Sequence, residues 1–237
     1  MRLDKAVALS GLTRSEAKKA VAAGRVTVNG VRVTDPGMAV TPESVAVDGA
    51  SVQSPRAVHI MVNKPAGVLT ATEDRRLPTV LDLVPPALRR GLGPVGRLDR
   101  DVTGLVLLTT DGQLAHRLIA PKWKAEKLYR GRCEGRVTGD DVRRFGEGIA
   151  LSDFTARPAA LTILKAGDDA SLCEVALTEG KFHQVKRMFA AIGHPLTALE
   201  RRRIGTLRLD DALPKGGWRL LTESEAAALY NLVGLSQ

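Results

Sequence analysis

The uninterrupted apolar run Leu105-Val106-Leu107-Leu108 constrains the fold of this chain more than any other feature. A short apolar run bounded by turn signals reads as a buried strand. It is entered through Gly93-Pro94 and the loop Gly96-Arg97-Leu98-Asp99-Arg100-Asp101-Val102-Thr103-Gly104. That loop is thereby anchored to a rigid core, the setting in which loops commonly hold chemistry. On local sequence alone it reads as an active-site loop and nothing more specific.

Around this strand the pattern divides into a small head and a larger body. In residues 1–49, Leu3, Ala6 and Val7 have helical spacing and Gly11 ends the helix. Thr13-Arg14-Ser15-Glu16 is a capping box that opens a second helix running to Gly24. Residues 26–33 alternate on both sides of Asn29-Gly30, a hairpin signal, and a last strand covers 44–47. Residues 50–56, small, polar and containing Pro55, read as a linker. The body, 57–237, mixes predicted strands at 59–63, 68–71, 105–109, 127–133, 159–164 and 172–177 with helices. The helices are placed near 79–84, after Asp111, from Thr138, over 182–192 and from the capping box at Thr222. Without regular βαβ alternation or a repeat, the fold class is α+β.

The chain has 237 residues and a net charge of +9, from 35 Lys+Arg against 26 Asp+Glu. That excess favours a polyanionic partner, since cations that neutralise phosphates release condensed counterions. A local patch stands out in 181–208, where Lys181, Lys186, Arg187, Arg201, Arg202, Arg203 and Arg208 meet one acid, Glu200. Cys133 and Cys173 lack any metal-ligand spacing and read as buried free thiols of a reducing compartment. The first residues lack the apolar stretch of a signal peptide, and no stretch approaches the roughly 18–20 apolar residues of a membrane span. A cytoplasmic protein that does not engage a membrane is expected.

Phosphate-loop, dinucleotide, HExxH and GxSxG motifs are missing, and the four histidines do not cluster in sequence. An enzyme of this sequence is expected to use no metal and no cofactor, leaving a carboxylate as nucleophile or charge stabiliser. Asp99, Asp101 and Asp111 are the loop acids that could serve.

Gly96-Arg97-Leu98-Asp99 followed by Thr103-Gly104 resembles the pseudouridine synthases, and within them the RsuA-like branch. Arg2-Leu3-Asp4-Lys5 and Gly24-Arg25-Val26-Thr27-Val28-Asn29-Gly30 resemble the S4 RNA-binding domain. Gly180-Lys181-Phe182-His183-Gln184-Val185-Lys186-Arg187-Met188 resembles a further family element, and Asn63-Lys64-Pro65-Ala66-Gly67 a structural turn near the active site. The resemblance implies an S4 (αL-type, helix–helix–sheet) head at 1–49 and a mainly antiparallel synthase domain at 57–237. It implies that Asp99 is catalytic, that Lys186 is its paired cation and that Tyr129 stacks on the target base. Arg97 would help displace the target nucleotide, with Val185 as an apolar lining. Asp101 is a secondary candidate. Arg187, with Arg14, Lys18 and Arg25 on the head, is expected to bind RNA.

The implied reaction breaks the N1–C1′ bond of uridine, turns the uracil and joins C5 to C1′. Nothing is oxidised and no group is lost. The aspartate acts as a nucleophile on the sugar or as base in an elimination through a glycal; either role needs it ionised, which a nearby cation favours. The implied substrate is a uridine of small-subunit (16S) ribosomal RNA, free or in an assembling subunit, and the enzyme is expected to be a monomer. The alternatives are a large-subunit (23S) target, a noncatalytic S4-type RNA-binding or ribosome-assembly factor, and a carboxylate glycosidase. The last needs an aromatic-rich cleft, which 3% aromatic residues hardly supply.

Overall fold

Capping and turn chemistry shape the head as its sequence directs. The computed structural model describes residues 1–52 and 57–235 and divides into two compact units, Met1–Arg56 and Ala57–Gln237. The first holds helices α1 (Leu3–Ala8) and α2 (Arg14–Ala22) and strands β1 (Val26–Val28), β2 (Val31–Arg32), β3 (Val45–Val47) and β4 (Ala50–Ser51). Thr13 Oγ1 accepts from the Glu16 amide at 3.3 Å while the Glu16 carboxylate accepts from the Thr13 amide at 2.7 Å. These bonds satisfy amides that the first helical turn leaves unpaired. Leu3, Val7, Ala17, Val21, Val26 and Val45 form the core. The sheet runs β2-β1-β3-β4, so Ala50 and Ser51 are an edge strand and not the start of a linker. Val52 is buried in the same core. An edge strand needs backbone pairing on one side only, so small polar residues serve. The rest of the expected linker, 53–56, lies outside the described residues.

In the second unit the sheet contains β5 (His59–Lys64), β6 (Gly93–Pro94), β7 (Thr103–Thr109), β8 (Lys127–Glu134), β9 (Ala160–Lys165), β10 (Ala170–Leu177), β11 (Leu196–Ile204), β12 (Leu207–Arg208) and β13 (Trp218–Leu220). The order is β13-β5-β7-β11-β8-β10-β9, with β12 on β11 and β6 on β7. Only β7 and β11 pair in parallel among the described strands. The helices are α3 (Gly112–Ile119), α4 (Gly139–Glu147), α5 (Gln184–Ala191) and α6 (Glu223–Leu232).

The sheet is covered on both faces, which explains the unbroken apolar run. Leu105 and Leu107 enter one core with Leu114 and Leu118 of α3 and Leu229 and Tyr230 of α6. Val106 and Leu108 enter the other, with Phe145 of α4 and Met188 and Phe189 of α5. Alternate side chains of a strand face opposite sides, so a strand between two cores cannot afford polar positions.

Some sequence expectations change in this unit. Residues 68–71 make no strand; Leu69 forms a single bridge with Thr79. Residues 79–84 make turns instead of a helix. Asp82 Oδ2 accepts from the Thr79 amide at 2.8 Å like a helix cap, and Asp82 and Val84 donate back three residues. Pro85 and Pro86 then remove the next donors and disfavour helical backbone before them. Finally, Leu196–Ile204, which the sequence presents only as part of the basic patch, forms β11 at the centre of the sheet.

Candidate active site

Backbone anchors fix the loop that precedes β7. Lys64, ending β5, is fully buried, and its Nζ donates to the carbonyls of Pro65 at 3.0 Å, Arg100 at 3.0 Å and Val102 at 2.7 Å. Burial pushes its ammonium down to about 8, against the pull of Asp101 and Asp99. The Gly67 amide also donates to Arg100 O at 2.8 Å. On the other side of Asp99, the Thr70 hydroxyl donates to Leu98 O at 3.0 Å and accepts from the Leu98 amide at 3.2 Å. Gly104 then leads the chain beside β11. Its φ is +99°, and a Cβ there would lie 2.4 Å from Arg201 O. Only glycine combines that backbone with that approach.

α5 brings the opposite charge. Val185, Met188, Phe189 and Ile192 form its buried stripe at helical spacing, which leaves Lys186 at the edge of the core. Lys186 Nζ lies 3.2 Å from Asp99 Oδ2 and 2.7 and 2.8 Å from the two oxygens of Asp101. Burial pulls the Lys186 ammonium down, but the two carboxylates outweigh it and hold it above the ordinary lysine value. The Asp101 carboxyl is held below its usual range, chiefly by the Lys186 hydrogen bond. The site therefore carries one persistent cation between two acids. His183, in left-handed backbone just before α5, places Nε2 3.5 Å from Asp99 Oδ1.

These groups open into a shallow cleft of about 90 Å³, lined by Arg97, Asp99, Tyr129, Val185, Lys186 and Leu199 among others. Tyr129 stands on β8, opposite Val175 of β10 and Arg201 of β11. The structure thus gathers Asp99, Lys186, Tyr129, Arg97 and Val185. Arg187 does not line this cleft: it pairs with Asp153, donates to Ser152 Oγ at 3.2 Å and lies over the Phe154 ring. On the head, Arg25 pairs with Asp48 and Arg14 lies 3.6 Å from Asp4, while Lys18 is exposed.

Sequence reasoning missed the contact of His183 with Asp99, the shorter bond of Lys186 to Asp101, and the anchoring role of Lys64. A lysine closing the strand-like stretch 59–63 was the available signal for Lys64. The buried thiols are as expected, with Cys173 pushed up to about 12 by burial. Among the described residues, no three or more His, Cys, Asp or Glu side chains gather as a metal site requires. No helix among them is long and apolar enough to cross a membrane.

Residues 58–191 match the family model of RNA pseudouridylate synthases, and residues 1–46 that of the S4 domain. An RNA pseudouridine synthase of Bacillus subtilis (strain 168) is 40% identical over 95% of this chain and 96% of its own length. The ribosomal small subunit pseudouridine synthase A of Vibrio parahaemolyticus is 40% identical over 98% of this chain and 100% of its own. A crystal structure of a pseudouridylate synthase, 36% identical, matches with a TM-score of 0.70 over 97% of this chain and 99% of that one.

Proposed function

The chain belongs to the pseudouridine synthase family and carries an S4 domain, and from that premise we propose that it isomerises a uridine of small-subunit (16S) ribosomal RNA with Asp99 as the catalytic carboxylate. The observation that carries this reading is Lys186 Nζ held 3.2 Å from Asp99 in a cleft that also contains Tyr129 and Arg97.

The chemistry needs only these side chains. The N1–C1′ bond breaks, the uracil turns, and C5 bonds to C1′; the proton on C5 leaves and N1 regains one, so atoms and electrons balance. Asp99 attacks C1′ or removes a sugar proton. Lys186 supplies a fixed charge beside Asp99, and Asp101 holds that charge in place from outside the cleft. A uridine extruded from its stack must be held by a ring face, and Tyr129 offers one. Arg97, exposed at the rim, fills the space the nucleotide vacates. Arg14 and Lys18 on the head add phosphate contacts that position the RNA without reading it. Against a noncatalytic RNA-binding role stands the gathering of Asp99, Lys186 and Tyr129 in one cleft.

The small-subunit target rests on the Vibrio relative's substrate class. Tritium release from ribosomal RNA labelled at uridine C5 tests it. Stoichiometric release is expected from small-subunit RNA or its assembly intermediates. Release from large-subunit RNA alone would overturn the target, and release from neither would overturn the activity.

A further inference from the structure

Phe182 is the most exposed large apolar side chain among the described residues, at 77%. A single exposed apolar residue needs no explanation by itself. This one is different because of what lies behind it. Its ring stacks on His183, with centroids 3.8 Å apart and planes within 17°. His183 in turn lines the cleft and places Nε2 3.5 Å from Asp99 Oδ1. A chain of contacts thus leads from the carboxylate through His183 and ends in a phenyl ring in solvent.

The segment that presents this stack is built rigidly. The Lys181 amide donates to Gln184 Oε1 at 2.9 Å, and Gln184, itself buried, donates to Glu179 Oε1 at 2.6 Å. His183 adopts left-handed backbone (φ 48°), a conformation that costs a non-glycine residue energy. That backbone turns the two rings out of the helix that begins at Gln184. Lys181 begins the same segment, its ammonium 3.6 Å from the centre of the Phe154 ring and on no carboxylate among the described residues, and such a charge favours a phosphodiester strand.

We propose that Phe182, stacked on His183 beside Asp99, is a platform for the base of a nucleotide flanking the target uridine. This rests on the assignment of the cleft as the synthase site. Extruding a nucleotide unstacks its neighbours, and an aromatic face that accepts any base replaces the lost stacking without reading sequence. Phe182 is therefore a binding residue for the flanking strand, and Asp99 keeps the chemistry.

The test is single-turnover tritium release from C5-labelled small-subunit RNA over a range of protein concentrations, for wild type, Phe182→Ala, Phe182→Trp and Phe182→Leu. Phe182→Ala should raise the half-saturating concentration about tenfold and leave the saturated rate within about twofold. Tryptophan should restore binding and leucine should not, because a π face and not apolar area is required. An unchanged half-saturating concentration for Phe182→Ala would overturn the proposal, as would leucine restoring binding as well as tryptophan. A loss confined to the saturated rate would also overturn it. Absence of release by wild type would instead overturn the synthase reading of the cleft.

Discussion

α5 and β11 draw on the same basic patch in the sequence and use it in opposite ways. In α5, helical spacing turns Val185 and Met188 inward and leaves Lys186 at the rim, where its ammonium meets Asp99 of the cleft and the exposed Asp101. In β11, the central position in the sheet consumes the charges. Arg201 is 3% exposed, donates Nε to Leu105 O at 2.8 Å and keeps a buried Nη2 without a hydrogen-bond partner. Arg202 pairs with Glu200 at 3.2 Å and with Asp211, and Arg203 with Glu126. A count of cations therefore locates a polyanion only where the fold leaves them unspent. Three arginines in a row put no charge into the cleft, and one lysine at a helix edge does.

The contrast breaks most readily at Lys186. Lys186→Met should lower the saturated rate of pseudouridine formation about 100-fold, the scale of losing one preorganised charge contact, with little change in RNA affinity. A loss in affinity alone would make Lys186 an ordinary phosphate contact and erase the distinction.

A smaller effect is expected from the pH dependence of Lys64. Its folded value of about 8 lies below the ordinary 10.5, so the folded protein releases this proton before the unfolded chain does. Its charged burial destabilises the fold below about pH 8, and this penalty is relieved between about 8 and 10.5. The three carbonyl bonds, however, need three N–H groups, and the neutral amine has two. kcat/KM should therefore fall above about pH 8, by up to about tenfold per unit, while the thermal midpoint does not fall on account of Lys64. A profile flat to about pH 9.5 would show that the loop does not depend on the ammonium. The smallest effect belongs to β11: Arg202→Gln should change RNA affinity and its salt slope by less than about twofold, as expected of a cation already paired. A large loss of salt slope would return this strand to the RNA surface.

Much of this architecture was legible in the sequence, for identifiable reasons. The capping boxes at Thr13 and Thr222, the Asn29-Gly30 turn and the 105–108 run each encode structure in adjacent residues, and each forms as expected. The resemblance pointed to five residues that prove to line one cleft, although the loop and α5 are far apart in the chain. What stayed hidden depends on long-range partners. Nothing local marks Arg201 as buried, since its acceptor lies on β7 and the close approach is permitted by Gly104. The turns at 79–84 imitate a helix start until the prolines after them are weighed. The start of α5 falls at Gln184 and not at Phe182, because a side-chain bond network closes the preceding turn.

The geometry poses one question about the reaction directly, because Lys186 bonds Asp101 more closely than Asp99. We propose that Asp99 reacts and Asp101 tethers the lysine. Tritium release from C5-labelled small-subunit RNA, measured for Asp99→Asn and Asp101→Asn with RNA binding checked in parallel, decides between them. Asp99→Asn should bind RNA normally and release no tritium above background, while Asp101→Asn keeps turnover within about tenfold of wild type. Continued release by Asp99→Asn would contradict the account.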